Sequence, residues 1–240
     1  PMYLGLVVAL VMLVVVFLRQ VAYYAMKIMT LDVETAILAT LTLIDLATGT
    51  MRELGKAFDA WPHPGAWTED GKQIVFTCDL DGQVPVFTLD VASDKVERIT
   101  AARSSGAHSD IQVLEDGRIV GIRSTLREPP EAFAVTNRPG SPPQVLARLS
   151  DFEFPDWVEV EHCTATSTDG APIQYFVTKP AKAQGRLPTL LWIHGGPIGM
   201  DADAWHWRWN PLLAVAQGYL VVPPNPRGST GFGQDFVQGI

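Results

Sequence analysis

The sequence is poor in charged residues and in cysteine, and its histidines follow no metal-binding pattern. Charged side chains make up 18% of the 240 residues, and the formal net charge is −8. No stripe of lysine and arginine is present to neutralise phosphate groups, which argues against a nucleic-acid-binding protein. The five histidines lack the short spacings of metal ligands. We therefore expect no metal, no cofactor and no nucleic-acid partner.

Only two cysteines occur, Cys78 and Cys163, and neither belongs to a Cys-x-x-Cys pattern. Cys78 lies in an apolar run typical of a strand, which favours a buried thiol over half of a disulfide. The fold therefore depends on its apolar core. Residues for that core are ample, because 47% of the sequence is hydrophobic.

Residues 1–19 form an apolar segment whose role the sequence leaves open. The run from Met2 to Leu18 carries no charge and has membrane-spanning length, at the short end of the range. A membrane anchor or signal-like segment, buried strands of a β domain, and an incorrectly joined terminus are all compatible with it. Residue 1 is Pro and not Met, so we expect the natural start to be missing or processed. The compartment is undetermined: membrane-anchored or extracytoplasmic with an anchor, cytoplasmic without one.

Residues 20–150 repeat a pattern of short apolar runs separated by Asp-Gly and related turns. Gly71 and Gly117 are 46 positions apart in equivalent turns, and Asp45 and Asp90 are 45 positions apart. A period in the forties with several short strands per unit is typical of β-propeller blades. Two clear units and one degraded unit are present, whereas a propeller has at least about four blades. The prediction is an incomplete, all-β propeller.

Residues 151–240 change pattern and predict the N-terminal part of an α/β-hydrolase domain. The expected elements are a strand over 158–168, a strand over 172–179, a strand over 187–193 that is buried on both faces, a helix over 212–217, and a strand over 219–222. Asn210 is expected to cap the helix and Gly218 to end it. We expect the last of these strands to form an open, apolar edge.

One short segment carries the strongest chemical signal. The apolar run 190–193 stops abruptly at His194-Gly195-Gly196-Pro197. In α/β-type serine hydrolases, such a loop after the third strand supplies a backbone N–H to the oxyanion hole. Glycine suits this task, since a side chain would keep the substrate carbonyl away from the N–H. A tight turn that merely ends a buried strand is the simpler alternative.

A second segment, Asn225-Pro226-Arg227-Gly228-Ser229-Thr230-Gly231-Phe232-Gly233, makes the resemblance specific. Together with the segment at 194–197, it resembles the prolyl oligopeptidase family, in particular the acylaminoacyl-peptidase and dipeptidyl-peptidase-like branch. The resemblance covers residues 20–240, and it is dense only from 155 onward. It implies a propeller followed by a hydrolase domain.

The same resemblance implies a catalytic serine, histidine and aspartate downstream of Ile240. No Gly-x-Ser-x-Gly nucleophile turn occurs among the 240 residues. Ser229 has no such turn around it, and in the family this serine belongs to a structural turn. We therefore expect a fragment without a triad, inactive alone, in which His194, Gly195 and Gly196 form the oxyanion-hole region.

Three further residues are candidates for the substrate cleft. Arg227 follows a buried strand, where it either holds its loop by bonding carbonyl or carboxylate groups or binds a substrate carboxylate. Trp205 and Trp209 lie in the loop before the predicted helix. They either fill the space between hydrolase and propeller or form part of a substrate subsite.

The function that we expect is that of a serine peptidase acting on short peptides by acyl transfer. Two alternatives stay open: a carboxylesterase or lipase with the same glycine-containing loop, and a non-catalytic propeller scaffold that binds a partner. The sequence does not distinguish an exopeptidase from an endopeptidase, and it leaves the oligomeric state undetermined. Membrane association is expected only if residues 2–18 form an anchor.

Overall fold

The computed structural model describes residues 40–101, 106–196 and 198–239, which are nearly all β-structure with two short helices. The apolar segment 1–19 lies outside these residues. Within the described part, no helix is long and apolar enough to span a bilayer.

The described residues between Leu41 and Arg148 form three antiparallel sheets, each built from strands that are consecutive in the chain. The first sheet has two strands, β1 (Leu41–Ile44) and β2 (Met51–Leu54). The second has four, β3 (Trp61–Trp67), β4 (Gln73–Asp79), β5 (Val86–Asp90) and β6 (Lys95–Arg98). The third also has four, β7 (Ala107–Val113), β8 (Arg118–Ser124), β9 (Glu131–Thr136) and β10 (Gln144–Arg148).

Equivalent turns of these sheets share their geometry. Gly71 and Gly117 have φ of +67° and +79°, a conformation that glycine adopts without strain. Each donates its N–H to the carbonyl three residues earlier. Asp45 and Asp90 each accept the N–H of the residue three positions later, as turn aspartates do. The spacing found in the sequence therefore corresponds to repeated local structure.

Strand β4 is buried on both faces, and it contributes side chains to two apolar clusters, one on each face. Successive side chains of a strand point to opposite faces. Phe76 belongs to a cluster with Leu41, Leu54 and Leu89, whereas its neighbour Val75 packs with residues of β7, β8 and β9. Cys78 is fully buried and unbridged, as predicted, and burial raises the pKa of its thiol to about 12.

The remaining residues form a mixed sheet with strand order β11-β12-β14-β13. Its elements are β11 (Val158–Thr166), β12 (Pro172–Pro180), β13 (Thr189–Leu191), helix α1 (Leu212–Val215), β14 (Leu220–Val222), β15 (Pro224–Asn225) and helix α2 (Gln234–Gln238). Strands β11 and β12 form the predicted hairpin, and β15 also pairs with β12. Strands β13 and β14 are parallel, with α1 between them in the chain.

Two expectations for this sheet are wrong. Strand β13 is not buried on both faces, because all three of its residues are exposed and Leu191 retains 63% of its accessible surface. The edge strands are β11 and β13 and not the strand at 219–222, because the crossover through α1 places β14 between β12 and β13. Sequence order alone does not reveal such an insertion.

The helix is shorter than predicted but has the expected ends. Asn210 accepts the N–H of Leu212 through Oδ1 at 3.0 Å. At the other end, Gly218 has φ of +86° and donates its N–H to Val215, while Tyr219 donates to Ala214. These are the closing bonds of a glycine-terminated helix. The helix itself ends at Val215, two residues before the predicted end at residue 217.

A buried histidine makes stability depend on pH. His108 is 3% exposed, its Nδ1–H donates to the Val84 carbonyl, and its Nε2 has no partner in the described part. Burial lowers its pKa from 6.5 to about 4. Below pH 6.5 the unfolded chain binds a proton that the folded chain rejects, so stability is full above that value and falls as the pH drops towards 4.

We expect the free energy of unfolding to fall by up to about 3 kcal/mol between pH 7 and pH 4 because of this group. Urea unfolding at a series of pH values should show that the free energy of unfolding of His108→Gln depends less on pH than that of the wild type. Thr178→Val, which changes an equally buried side chain that has no titratable group, is the control and should keep the wild-type pH dependence. If His108→Gln kept the wild-type pH dependence, His108 would not be the group responsible for it.

Candidate active site

His194 lies just beyond the end of β13 and contacts a buried serine. Its Nε2 is 2.9 Å from Oγ of Ser229, which is fully buried. The Ser229 hydroxyl donates its only proton to the Pro226 carbonyl at 2.6 Å. We therefore assign the His194 proton to Nε2, which then donates to Ser229. The other ring nitrogen, Nδ1, lies 3.1 Å from the Gly195 carbonyl oxygen. The His194–Ser229 pair fixes the position of the imidazole ring.

This arrangement excludes Ser229 as the nucleophile in the observed conformation. A serine activated by histidine gives its proton to the imidazole. Here the imidazole is instead the donor and the Ser229 hydroxyl the acceptor, and the hydroxyl has no access to solvent. The contact between Ser229 and His194 therefore serves to hold the imidazole ring in place.

Residues 194–199, which we call the glycine loop, present two unoccupied amides. Gly195 and Gly196 are exposed, and within the described part neither N–H donates a hydrogen bond. A Cβ added at Gly195 would meet no described atom within 4 Å, so open space lies beside it. Gly196 has φ of +143°, and a Cβ there would be 2.9 Å from the Ile198 backbone. The loop thus presents two exposed glycines whose N–H groups make no described hydrogen bond, and their part in an oxyanion hole stays a prediction.

A cavity of about 520 Å³ lies next to this loop. His194, Gly195, Asp201 and His206 contribute its polar lining, and its apolar lining includes Trp192. Burial raises the pKa of the Asp201 carboxyl, and Oδ2 of this residue is buried without a partner in the described part. The cavity therefore combines an apolar wall with a carboxyl group whose pKa is raised by burial.

The three other predicted residues take different positions. Trp209 lines the cavity and packs edge-on against Trp192, with ring centroids 5.8 Å apart. Trp205 does not line it; its ring packs against Phe152 at 4.9 Å. Arg227 forms an ion pair with Asp169, in the turn of the β11–β12 hairpin, and is also absent from the cavity lining.

Asn225, the first residue of the second sequence motif, matters for this site although its role is not evident from the sequence. Asn225 is fully buried, and its amide makes three hydrogen bonds. Oδ1 accepts the Asp201 N–H at 2.7 Å, and Nδ2 donates to the Asp201 carbonyl at 2.9 Å and to Gln174 Oε1 at 2.5 Å. This amide therefore fastens the segment after the glycine loop to the central strand β12.

The described residues contain no cluster of three or more His, Cys, Asp or Glu that could hold a metal ion. They can instead supply backbone N–H groups to a developing negative charge, beside a cavity large enough for a side chain.

The chain is similar in sequence to curated proteins named dipeptidyl-peptidase 5. No family model matches the chain. The chain is 29% identical over 205 residues to dipeptidyl-peptidase 5 of Trichophyton schoenleinii, which covers 79% of the chain and 27% of that protein. It is also 29% identical over 229 residues to dipeptidyl-peptidase 5 of Aspergillus fumigatus, covering 92% of the chain and 31% of the relative.

A solved structure shows the same fold. The acylaminoacyl peptidase of Pyrococcus horikoshii superposes with a TM-score of 0.63 at 21% identity, over 80% of the chain and 29% of that protein. Together, these matches support the prolyl oligopeptidase family. The resemblance drawn from the two sequence motifs is thereby confirmed.

The structural similarity to the prolyl oligopeptidase family supports only part of the predicted fold. The described part is nearly all β and is similar to the β-propeller domain of that family, but it contains no closed propeller. The chain spans less than a third of the length of either curated relative named above, 27% of one and 31% of the other.

Replacing Asn225 with leucine should unfold this region preferentially. The change removes three hydrogen bonds and leaves both backbone groups of Asp201 unpaired, so we expect a loss of about 3 kcal/mol in the free energy of unfolding. Asn137→Leu is the matched control, because Asn137 makes one side-chain hydrogen bond, to Gln73, and should cost less than about 1 kcal/mol. Urea unfolding measures the free energy of unfolding of both variants. Equal losses in the two variants would contradict the role of Asn225 in fastening this segment to β12.

Proposed function

We propose that this chain forms the oxyanion side of the active site of a serine peptidase. The observation that carries the proposal is the pair of exposed, unbonded amides at Gly195 and Gly196, beside open space and a cavity. Relatives named dipeptidyl-peptidase 5 and a neighbour named acylaminoacyl peptidase support the same reaction class. The substrates are accordingly short peptides.

We further propose the domain assignment that the sequence predicts. The two four-stranded sheets are successive blades of a β-propeller within residues 20–150, and the mixed sheet is the N-terminal part of an α/β-hydrolase domain within residues 151–240. The repeated turn geometry supports the first assignment. The parallel β13–α1–β14 unit supports the second, because such crossovers are typical of α/β sheets.

The nucleophile, in this proposal, is supplied by residues outside these 240. The chain has no Gly-x-Ser-x-Gly segment, and the Ser229 proton is committed to Pro226. A serine placed near the glycine loop would attack the peptide carbonyl and convert its oxygen into an oxyanion. Amides about 2.7–3.1 Å from that oxygen would stabilise the negative charge, and loss of one such donor typically costs about 10²–10³ in kcat.

The other residues of the site have supporting roles in this proposal. Ser229 fixes the ring of His194 at the start of the glycine loop. Trp209 forms part of the wall of the substrate cleft. Trp205 and Arg227, which lie outside the cavity lining, hold neighbouring loops.

The direct experiment is to determine the coding sequence downstream of Ile240 and to assay the encoded protein. We expect a Gly-x-Ser-x-Gly turn followed by Asp and His, and hydrolysis of peptide anilides in preference to carboxylic esters. The 240-residue chain alone should have no activity. Preference for esters would favour a carboxylesterase, and a stop codon after Ile240 would favour a scaffold; either would contradict the proposal.

Gly195→Ala tests the amides themselves in that protein. The added methyl group meets no described atom within 4 Å, so we expect the melting temperature to change by less than about 1 °C. The methyl group lies where the substrate carbonyl must approach, so kcat/KM should fall about 100-fold.

Gly140→Ala is the activity control for this variant. Gly140 lies in the turn between β9 and β10, and its added methyl group also meets no described atom within 4 Å. It should retain wild-type kcat/KM, although alanine at a φ of +74° costs about 1–2 kcal/mol of stability. Full activity of Gly195→Ala would rule out the oxyanion role of this loop.

A further inference from the structure

Two neighbouring residues, Ser229 and Thr230, connect the glycine loop to a different sheet of the molecule. They are 0% and 3% exposed. Ser229 contacts the His194 ring, as described above. The Thr230 hydroxyl instead donates to Asp79 Oδ2 at 2.5 Å, across 151 residues of sequence. Asp79 is the last residue of β4, in the first four-stranded sheet.

The same two residues hold both ends of the glycine loop. Ser229 accepts a hydrogen bond from His194 Nε2 at the start of the loop. Thr230 donates its backbone N–H to the Gly199 carbonyl at the end of the loop, at 2.9 Å. A displacement of residues 229 and 230 must therefore displace the loop that presents the Gly195 and Gly196 amides.

The contact with the first four-stranded sheet is close as well as hydrogen-bonded. Asp81 donates its N–H to the Gly231 carbonyl at 3.0 Å. A Cβ added at Gly231, which has φ of +89°, would lie only 3.2 Å from the Asp79 carbonyl carbon. The backbones at 79–81 and 229–231 are thus in direct contact, and the Thr230–Asp79 bond adds a side-chain link between them.

We propose that Asp79 is a positioning residue for the active site: through Thr230 and Ser229 it sets the location of His194 and of the glycine loop. This inference rests on the proposed function for its effect on catalysis, but its structural core does not. It assigns the first four-stranded sheet a direct part in shaping the site, in addition to any role in admitting substrate. The carboxylate of Asp79 is suited to this role because only 16% of its side chain is exposed, and Oδ1 is 3.2 Å from His63 Nε2.

The test removes the Thr230 hydroxyl and observes His194. Thr230→Val keeps the shape of the side chain but cannot donate to Asp79. We expect the imidazole ¹H and ¹⁵N resonances of His194 to shift, and in the active protein kcat should fall about tenfold while KM stays within about twofold. Thr230→Ser, which restores the hydroxyl, should recover both the resonances and kcat.

Two variants complete the design. Asp79→Leu removes the acceptor, and its effect on His194 should not add to that of Thr230→Val, because both break one bond. Thr178→Val is the matched control, since Thr178 is equally buried and its hydroxyl has no partner in the described part. It should leave the His194 resonances and kcat unchanged. Thr230→Ala replaces the valine variant if the latter does not fold.

The outcomes separate this inference from the proposed function. If Thr230→Val lowers stability but leaves the His194 resonances unchanged, the contact is only structural and the inference is overturned. If the protein has no peptidase activity but the resonances shift and Thr230→Ser restores them, the positioning stands while the proposed function fails. Additive effects of Asp79→Leu and Thr230→Val would overturn the inference.

Discussion

Hydrogen bonds from three buried polar side chains hold the loop after β13, because this loop lies outside the strands of the mixed sheet. Strand β13 ends at Leu191, and the described residues between it and α1 form no helix or strand. Asn225 binds both backbone groups of Asp201, Ser229 binds the His194 ring, and Thr230 reaches Asp79. Buried polar groups are costly unless they are paired. Each pair made here therefore restricts the loop to one conformation and leaves its glycine amides available.

The two kinds of sheet use apolar packing differently. Strand β4 is covered on both faces, so its side chains are fixed by the sheets on either side. In the mixed sheet, Val221 packs with Val158 and Val215 on the side of the helix, whereas edge strand β13 leaves Leu191 and the following Ile193 more than half exposed. Apolar packing on both faces of β4 therefore holds the four-stranded sheets, and polar contacts such as Thr230–Asp79 link them to the segment that follows the mixed sheet.

The sequence predicts local features well and long-range ones poorly. Turns that contain Asp and Gly are determined by backbone conformation within about four residues, so the repeated turns at Gly71 and Gly117 and the hairpin at Gly170 follow from the sequence. The ends of α1 follow for the same reason. The insertion of β14 between β12 and β13 is set by the crossover, which no local pattern records. The roles of Asn225 and Asp79 depend on partners 24 to 151 positions away, so the residue type alone gives no sign of them.

The burial of Cys78 has a practical consequence for experiments on this molecule. A thiol whose pKa is raised to about 12 by burial is almost entirely protonated near neutrality, and the thiolate is the reactive species. Alkylating reagents should therefore leave Cys78 intact while the protein is folded. Cys163, half-buried on β11, is the other cysteine in the sequence, so a spin label or fluorophore attached there reports from one defined position in the mixed sheet.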